Sequence, residues 1–445
     1  MTNAPREGPG ERRAIAVHLA CPDGTSDVQP EWAAWNRSEK RRYTIGVEEE
    51  VMLLHAHDHS LAQSSQAVLA RLSDELSAQT SPETHACVIE LVTEIRTDVA
   101  SAVRELAALR ARLASELEAM GLCAASAGVY PLAWSGETRV AGSGRYGLVA
   151  ESMRSLARRE PTLALHVHVG VPDAEEAIRV MNGLRQAVPL LLALSANSPF
   201  VQGSDSGLSS ARTVIFQGFP RTGTARRFSS YADYVGAVDA LIASGAIPDP
   251  SFLWWDVRLQ PALGTVEVRV MDAQPQIADS AGLIALVQAL AHLSREDQST
   301  DDRLGPEVLA ENRFLAARDG LDARLIDPVK RELVPARAQL ATLLTRCREH
   351  ADPVCSVELD RVSRLMHANG AERQRAWARE HGVPALTSML TQRYTASNGM
   401  PGPAPRFVPP RDGAFIDPLR SGHSPSVERS ERCVAGLPTR VLRSC

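Results

Sequence analysis

An apolar, β-rich run at 43–54, YTIGVEEEVMLL, carries three glutamates at its centre, and apolar and polar residues alternate within 163–171 (LALHVHVGV) and 264–272 (GTVEVRVMD). A period of two is the signature of a strand with one packed face and one open face. Two apolar runs, 86–93 (ACVIELVT) and 212–216, read as further strands. A period near 3.6 predicts helices over 98–120, 173–196, 281–295, 326–348 and 357–368. Asp98 supplies the N-cap of the first helix, which stops before Gly121. The strands are far apart and do not alternate regularly with the helices, so the pattern predicts α+β rather than a doubly wound sheet. Residues 1–40 are polar, dotted with proline and without period, and 398–445 are rich in Pro, Ser and Arg. They read as a disordered arm and a disordered tail around one folded unit at 41–397.

The polar positions of these strands carry the candidate chemistry. In GVEEE, alternation sends Glu48 and Glu50 to one face, about 7 Å apart at ~3.3 Å per residue, and Glu49 to the other. Glu90 stands between Ile89 and Leu91, His166 and His168 share a face, and so do Glu267 and Arg269. On one strand such a face is ordinary solvated surface. Four strands that are apolar behind and charged in front fit a sheet whose polar face looks into a cavity, because a buried unpaired charge costs several kcal/mol, roughly. Converging carboxylates repel unless cations intervene, and glutamates with an imidazole suit Mg²⁺ or Mn²⁺ better than zinc. An arginine on the same strand suits phosphoryl oxygens.

Composition narrows the field. A net charge of −5 leaves no footprint of a nucleic-acid or anionic-membrane partner. Lysine occurs only at 40 and 330, so an active-site lysine and a phosphate loop ending in Gly-Lys-Ser/Thr are excluded. Seven scattered cysteines without a C-x-x-C, and no opening signal segment, point to reduced thiols in the cytoplasm; Cys347 and Cys355 are close enough in sequence to pair, but free thiols are the simpler reading. The longest apolar run, near 187–196, is too short to span a bilayer. Three other features keep alternatives. Gly142, Gly144 and Gly147 form a G-x-G-x-x-G outside any clear βα unit; His55, His57 and His59 form either a metal trio or a solvated turn; and Trp254–Trp255 either line a pocket or pack in the core.

TIGVEEEVMLL, LHVHVGV, LALSANSPFVQGSDSGLSSARTVIF and WWDVRLQPALGTVEVRVMD together resemble the carboxylate–amine ligases of the glutamate–cysteine ligase type 2 family, over about residues 43–392. The resemblance implies a glutamine-synthetase/guanidino-kinase-like fold, a curved antiparallel half-barrel flanked by helices. It implies ATP-dependent amide formation through an acyl phosphate, nominally from glutamate and cysteine. A γ-glutamyl ligase with other substrates and a nucleotide-binding protein without turnover stand as rivals. Carried onto this chain, Glu48, Glu50 and Glu90 are metal ligands, and His166 and Glu267 contact metal or nucleotide phosphate. His168 and Trp255 fall on the nucleotide side, Arg269 faces the phosphates, and Arg212 holds the substrate carboxylate. The implied partners are a small carboxylate and a small amine, with a homo-oligomer left open.

Overall fold

The computed structural model describes residues 29–38, 40, 42–134, 136–141, 145–296, 304–350 and 356–396. Seven strands form its main sheet: β1 (Ile45–His55), β2 (Thr80–Pro82), β3 (Val88–Val92), β4 (Leu122–Ala125), β5 (Ala164–Gly170), β6 (Val257–Gln260) and β7 (Thr265–Asp272). Their order is β6-β7-β5-β1-β3-β2, and every pairing is antiparallel. β1 is the spine. One of its edges pairs β5 through Ile45–Glu49 and then β4 through Met52–His55, while the other pairs β3 through Glu48–Met52. A register shift between Val268 and Met271 interrupts the β7–β5 ladder, the kind of bulge that re-aims side chains beside a site.

Alternation sorts these strands as the sequence predicts. Val47, Val51, Leu91, Val167 and Val268 are buried on one face, in a core shared with three helices. These are α1 (Val99–Glu118), α2 (Ala174–Ser195) and α3 (Ile277–Glu296). Asp98 caps α1 by accepting from the Ser101 backbone N–H at 2.8 Å, and Asp173 caps α2 by accepting from those of Glu175 and Glu176. α3 is long and apolar enough to cross a bilayer, but 94% of that stretch is buried inside the protein, so the core accounts for its composition.

Glu49 is the exception on the apolar face. It meets Arg110 of α1 in a fully buried ion pair, with Arg110 Nε donating to Oε2 at 2.8 Å. Arg110 also donates to the carbonyls of Gln274 (2.9 Å) and Pro275 (3.2 Å), and lies 4.8 Å over the ring of Tyr394. Glu49 is therefore the pin that ties β1, α1 and the last described helix (Ala385–Ala396) together.

Several expectations are corrected. Residues 212–216 form a helix, Ala211–Phe216, not a strand. The run is β-branched, but Ser210 Oγ accepts from the Thr213 backbone N–H and starts a helical turn. The helix expected over 326–348 begins only at Ala336; before it, Arg324–Asp327 and Glu332–Pro335 pair as a hairpin. Pro328 and Pro335 were the available signal. The helix expected over 357–368 is broken into Ser356–Leu359 and Val362–His367. Residues 29–38, assigned to the arm, are packed: Trp35 is buried and its indole donates to the Val171 carbonyl at 2.9 Å. Residues 1–28, the tail at 398–445 and Cys355 lie outside the described residues. Cys87, Cys123 and Cys347 are free thiols.

Candidate active site

Directly opposed residues of an antiparallel ladder share a face. Glu48 opposes His166, Glu50 opposes Glu90, and Glu267 opposes both His168 and Arg258. The register thus gathers polar side chains from five adjacent strands on the face away from α1, α2 and α3.

His166 stands at the centre. Its Nδ1 is 3.1 Å from Glu48 and 3.9 Å from both Glu90 and Glu267, and its Nε2 is 3.8 Å from Glu50. His168 Nε2 is 3.2 Å from Glu48, and its Nδ1 meets Thr265 Oγ1 at 3.0 Å. Two sets of ligand atoms, Glu48–His166–Glu267 and Glu50–Glu90–His166, each lie within 4.8 Å of one another.

The arginines are anchored differently. Arg258 Nε donates to Glu267 at 2.9 Å, and its Nη1 donates to the carbonyls of Ser251 (3.1 Å) and Leu253 (2.9 Å). Gln260 and Arg269 also donate to Glu267. Arg212 is held by the carbonyls of Val270 (3.0 Å) and Arg269 (3.1 Å).

The carboxylates separate electrostatically. Burial, reinforced by the charge of Glu83, pushes Glu50 up to about 8 against the pull of Arg212 and Arg269. Burial and the charges of Glu48, Glu83 and Glu50 push Glu90 well above the usual range. Burial also acts on Glu48 and Glu267, but His168 and His166 hold Glu48 low, and Arg258 and Arg269 hold Glu267 low. Burial and Arg269 push His166 down to about 4, so its imidazole is neutral and free to act as a ligand. Glu50 and Glu90 thus need a cation or a proton, and oxygens around one imidazole are a donor set that fits Mg²⁺ or Mn²⁺.

A cavity of about 350 Å³ opens over this face. Six of the sequence candidates line it: Glu48, Glu50, Glu90, His166, Arg212 and Arg269. Glu267 and His168 sit outside the lining, buried in the sheet beneath. Trp255 faces the other way, toward Phe228 and Tyr234 with ring centroids 6.0 and 6.5 Å apart, and Trp254 takes the wall. Neighbouring residues of an extended pair point to opposite faces, and the sequence does not say which is inside.

Sequence reasoning missed Glu83, His85, Ser251 and Arg258, which also line the cavity. Only the alternation of Arg258 with Gln260 could have signalled its strand; Glu83 and His85 lie between β2 and β3, and Ser251 lies in a single 3-10 turn, Pro250–Phe252, none with a period to read. The helix Arg145–Met153 adds Tyr146, Val149 and Met153 to the wall. Gly147 falls in that helix, while Gly142 and Gly144 lie outside the described residues. His57 is 74% exposed and pairs with Asp58 at 3.3 Å in a turn, while His55, at the end of β1, and His59 are half-buried.

An antiparallel sheet with a carboxylate-lined face, backed by helices, is a fold this chain shares with solved ligases. The structure aligns with a glutamate–cysteine ligase of Francisella tularensis in complex with AMP at TM-score 0.60 and 14% identity, over 80% of this chain and 89% of that one. It aligns with a bifunctional glutathione synthetase of Pasteurella multocida at TM-score 0.61 and 15% identity, over 80% of this chain and 53% of that one. Residues 44–387 match the model of glutamate-cysteine ligase family 2. A Rubrobacter xylanophilus protein named "Putative glutamate--cysteine ligase 2-1" is 40% identical over 338 residues, 75% of this chain and 89% of its own. A Thermobifida fusca protein named "Putative glutamate--cysteine ligase 2" is 36% identical over 352 residues, 77% of this chain and 88% of its own. The chain belongs to glutamate-cysteine ligase family 2, and is a ligase that forms C–N bonds.

Proposed function

We propose that this protein is an ATP-dependent carboxylate–amine ligase whose acid substrate is nominally glutamate and whose amine is nominally cysteine. The observation that carries the reading is the convergence of Glu48, Glu50, Glu90 and His166 with Arg212 and Arg269 around one cavity. Bound there by Glu48, Glu50, Glu90 and His166, Mg²⁺ or Mn²⁺ would neutralise phosphate charge. Arg269, braced by Glu267, faces the phosphoryl group in transit, and Arg212, fixed by two backbone carbonyls, orients the substrate carboxylate.

The γ-phosphoryl group of ATP passes to a carboxylate oxygen, which gives ADP and an acyl phosphate. The amine nitrogen then forms the C–N bond while the C–O bond to phosphate breaks, and phosphate leaves with that electron pair. One ammonium proton goes through a cavity carboxylate to solvent before attack, and a second passes from the nitrogen to the departing phosphate as the amide forms. Little covalent work falls to the protein, whose part is charge placement.

The test is glutamate-dependent ADP release, with hydroxylamine trapping the acyl phosphate as a hydroxamate. Glu48→Gln and Glu50→Gln should each lower the rate at least about tenfold, with partial recovery at raised Mg²⁺ or Mn²⁺. A fully active Glu48→Gln enzyme sinks the reading.

A further inference from the structure

Asp272, the last residue of β7, lies outside the cavity lining and is fully buried. Its Oδ2 accepts from the Asn197 backbone N–H at 2.8 Å and the Ser198 hydroxyl at 2.7 Å, and its Oδ1 accepts from the Ser210 hydroxyl at 2.9 Å. Both serines lead to Arg212. Ser198 Oγ accepts from the Arg212 backbone N–H at 3.2 Å, and Ser210 caps the helix Ala211–Phe216 that carries Arg212. Asp272 Oδ1 also stands 3.9 Å from Arg212 Nη1, too far for a hydrogen bond but near enough for charge to act. The guanidinium thus donates to the Val270 and Arg269 carbonyls and receives its counter-charge from a carboxylate that takes no donor from it.

The other charges around Arg212 have other partners. Glu50 and Asp256 attract it and Arg269 repels it. Glu50 belongs to the metal set above, and Asp256 is held by Arg313 through two hydrogen bonds of 2.7 and 3.0 Å. The three donors to Asp272 are all neutral, so its charge is left for Arg212. A buried guanidinium beside a second one needs such a neighbour, because an uncompensated buried charge is strongly destabilising. The carboxyl is also walled in: a Cβ on Gly128 would stand 2.6 Å from it.

We infer that Asp272 is a positioning residue for the acid substrate, fixing Arg212 by its charge and through Ser198 and Ser210 without touching the substrate itself. This rests on the ligase reading above, in which Arg212 orients the substrate carboxylate, and adds the group that sets the arginine. Asn in place of Asp272 cannot serve both sides. The Asn197 backbone N–H can only donate, so the amide oxygen must turn to it. The amide NH2 then faces Ser210 and Arg212. A hydroxyl can rotate to accept, but a guanidinium has only donors and must move.

The test measures ADP release by the full chain with ATP, Mg²⁺ and glutamate or other carboxylates, using hydroxylamine as the acceptor, with unfolding curves to confirm each fold. Asp272→Asn should raise the KM for glutamate at least about tenfold and leave the KM for ATP within about threefold. Gly128→Ala crowds the same carboxyl without changing its charge, and should raise the glutamate KM in the same selective way. On an Arg212→Met background, Asp272→Asn should change kcat/KM for glutamate by less than about threefold, because the residue it acts through is gone. An unchanged glutamate KM in folded Asp272→Asn overturns the inference. Equal rises in both KM values, or a full additional loss on Arg212→Met, also overturn it, since either marks a merely structural role. All three results leave the ligase reading standing. A parent chain that releases no ADP with any carboxylate overturns that reading and the inference with it.

Discussion

Replacing Glu49 by Gln should separate stability from chemistry inside three adjacent glutamates. Glu49 and Arg110 are both fully excluded from solvent. Gln keeps the shape and one acceptor but strands the guanidinium charge, which its remaining contacts to the Gln274 and Pro275 carbonyls and Ser280 cannot neutralise. Breaking one side of a buried ion pair costs about 3–5 kcal/mol. At ~2.1 cal/mol/K per residue, a folded unit of this size unfolds with an entropy near 0.7 kcal/mol/K, so Tm should fall by about 4–7 °C. Well below the new Tm, ADP release per folded molecule should stay within about threefold of the parent, because Glu49 points away from the cavity. Adding Arg110→Met should recover part of the lost stability, since two matched apolar or neutral groups are tolerated better than one orphaned charge. The measurements are urea and thermal unfolding together with ADP release for the two variants. A Tm unchanged by Glu49→Gln, or a tenfold fall in kcat with the fold intact, would refute the assignment of Glu49 to structure and of its neighbours to the site.

Arg269→Lys keeps the charge but loses the planar fork, so kcat should drop roughly tenfold or more while the fold survives; unchanged kinetics would remove Arg269 from the phosphate path. A chain spanning 29–396 should keep its rate of ADP release, whereas one starting at 41 should be destabilised on the scale of about 3–5 kcal/mol, the cost of losing buried Trp35, as unfolding curves for both will show. Because His85 is held neutral down to about 4 but protonates near 6.5 in the unfolded chain, its contribution is intact above pH 6.5 and is lost as pH falls from there to about 4. The loss is about 3 kcal/mol, and His85→Gln should flatten that part of the stability–pH curve relative to the parent; parallel curves would refute it.

The sequence by itself determined the strands whose two faces differ. The alternation in 45–55, 164–170 and 265–272 is a local property, because successive side chains of any extended segment face opposite ways. It was enough to send Glu48 and Glu50 one way and Glu49 the other, and the long, ordered family motifs were enough to fix the ligase fold. What stayed closed depends on partners distant in the chain. Arg110 lies 61 residues from Glu49, and no period announces that the two will meet. His166 lies 118 residues from Glu48, and only the register of β1 against β5 sets them opposite each other. Trp254 and Trp255 are chemically identical neighbours, so their inside and outside are decided by what packs behind them, here Phe228 and Tyr234. The run at 212–216 has strand-like side chains, yet its short span lets the Ser210 cap outweigh them. Glu83 and His85 are placed by the loop that joins β2 to β3, and a loop carries no repeat from which direction can be read. Local periodicity fixes which face a side chain takes; the pairing of distant segments decides which other side chains share that face, and so where the charges of this site meet.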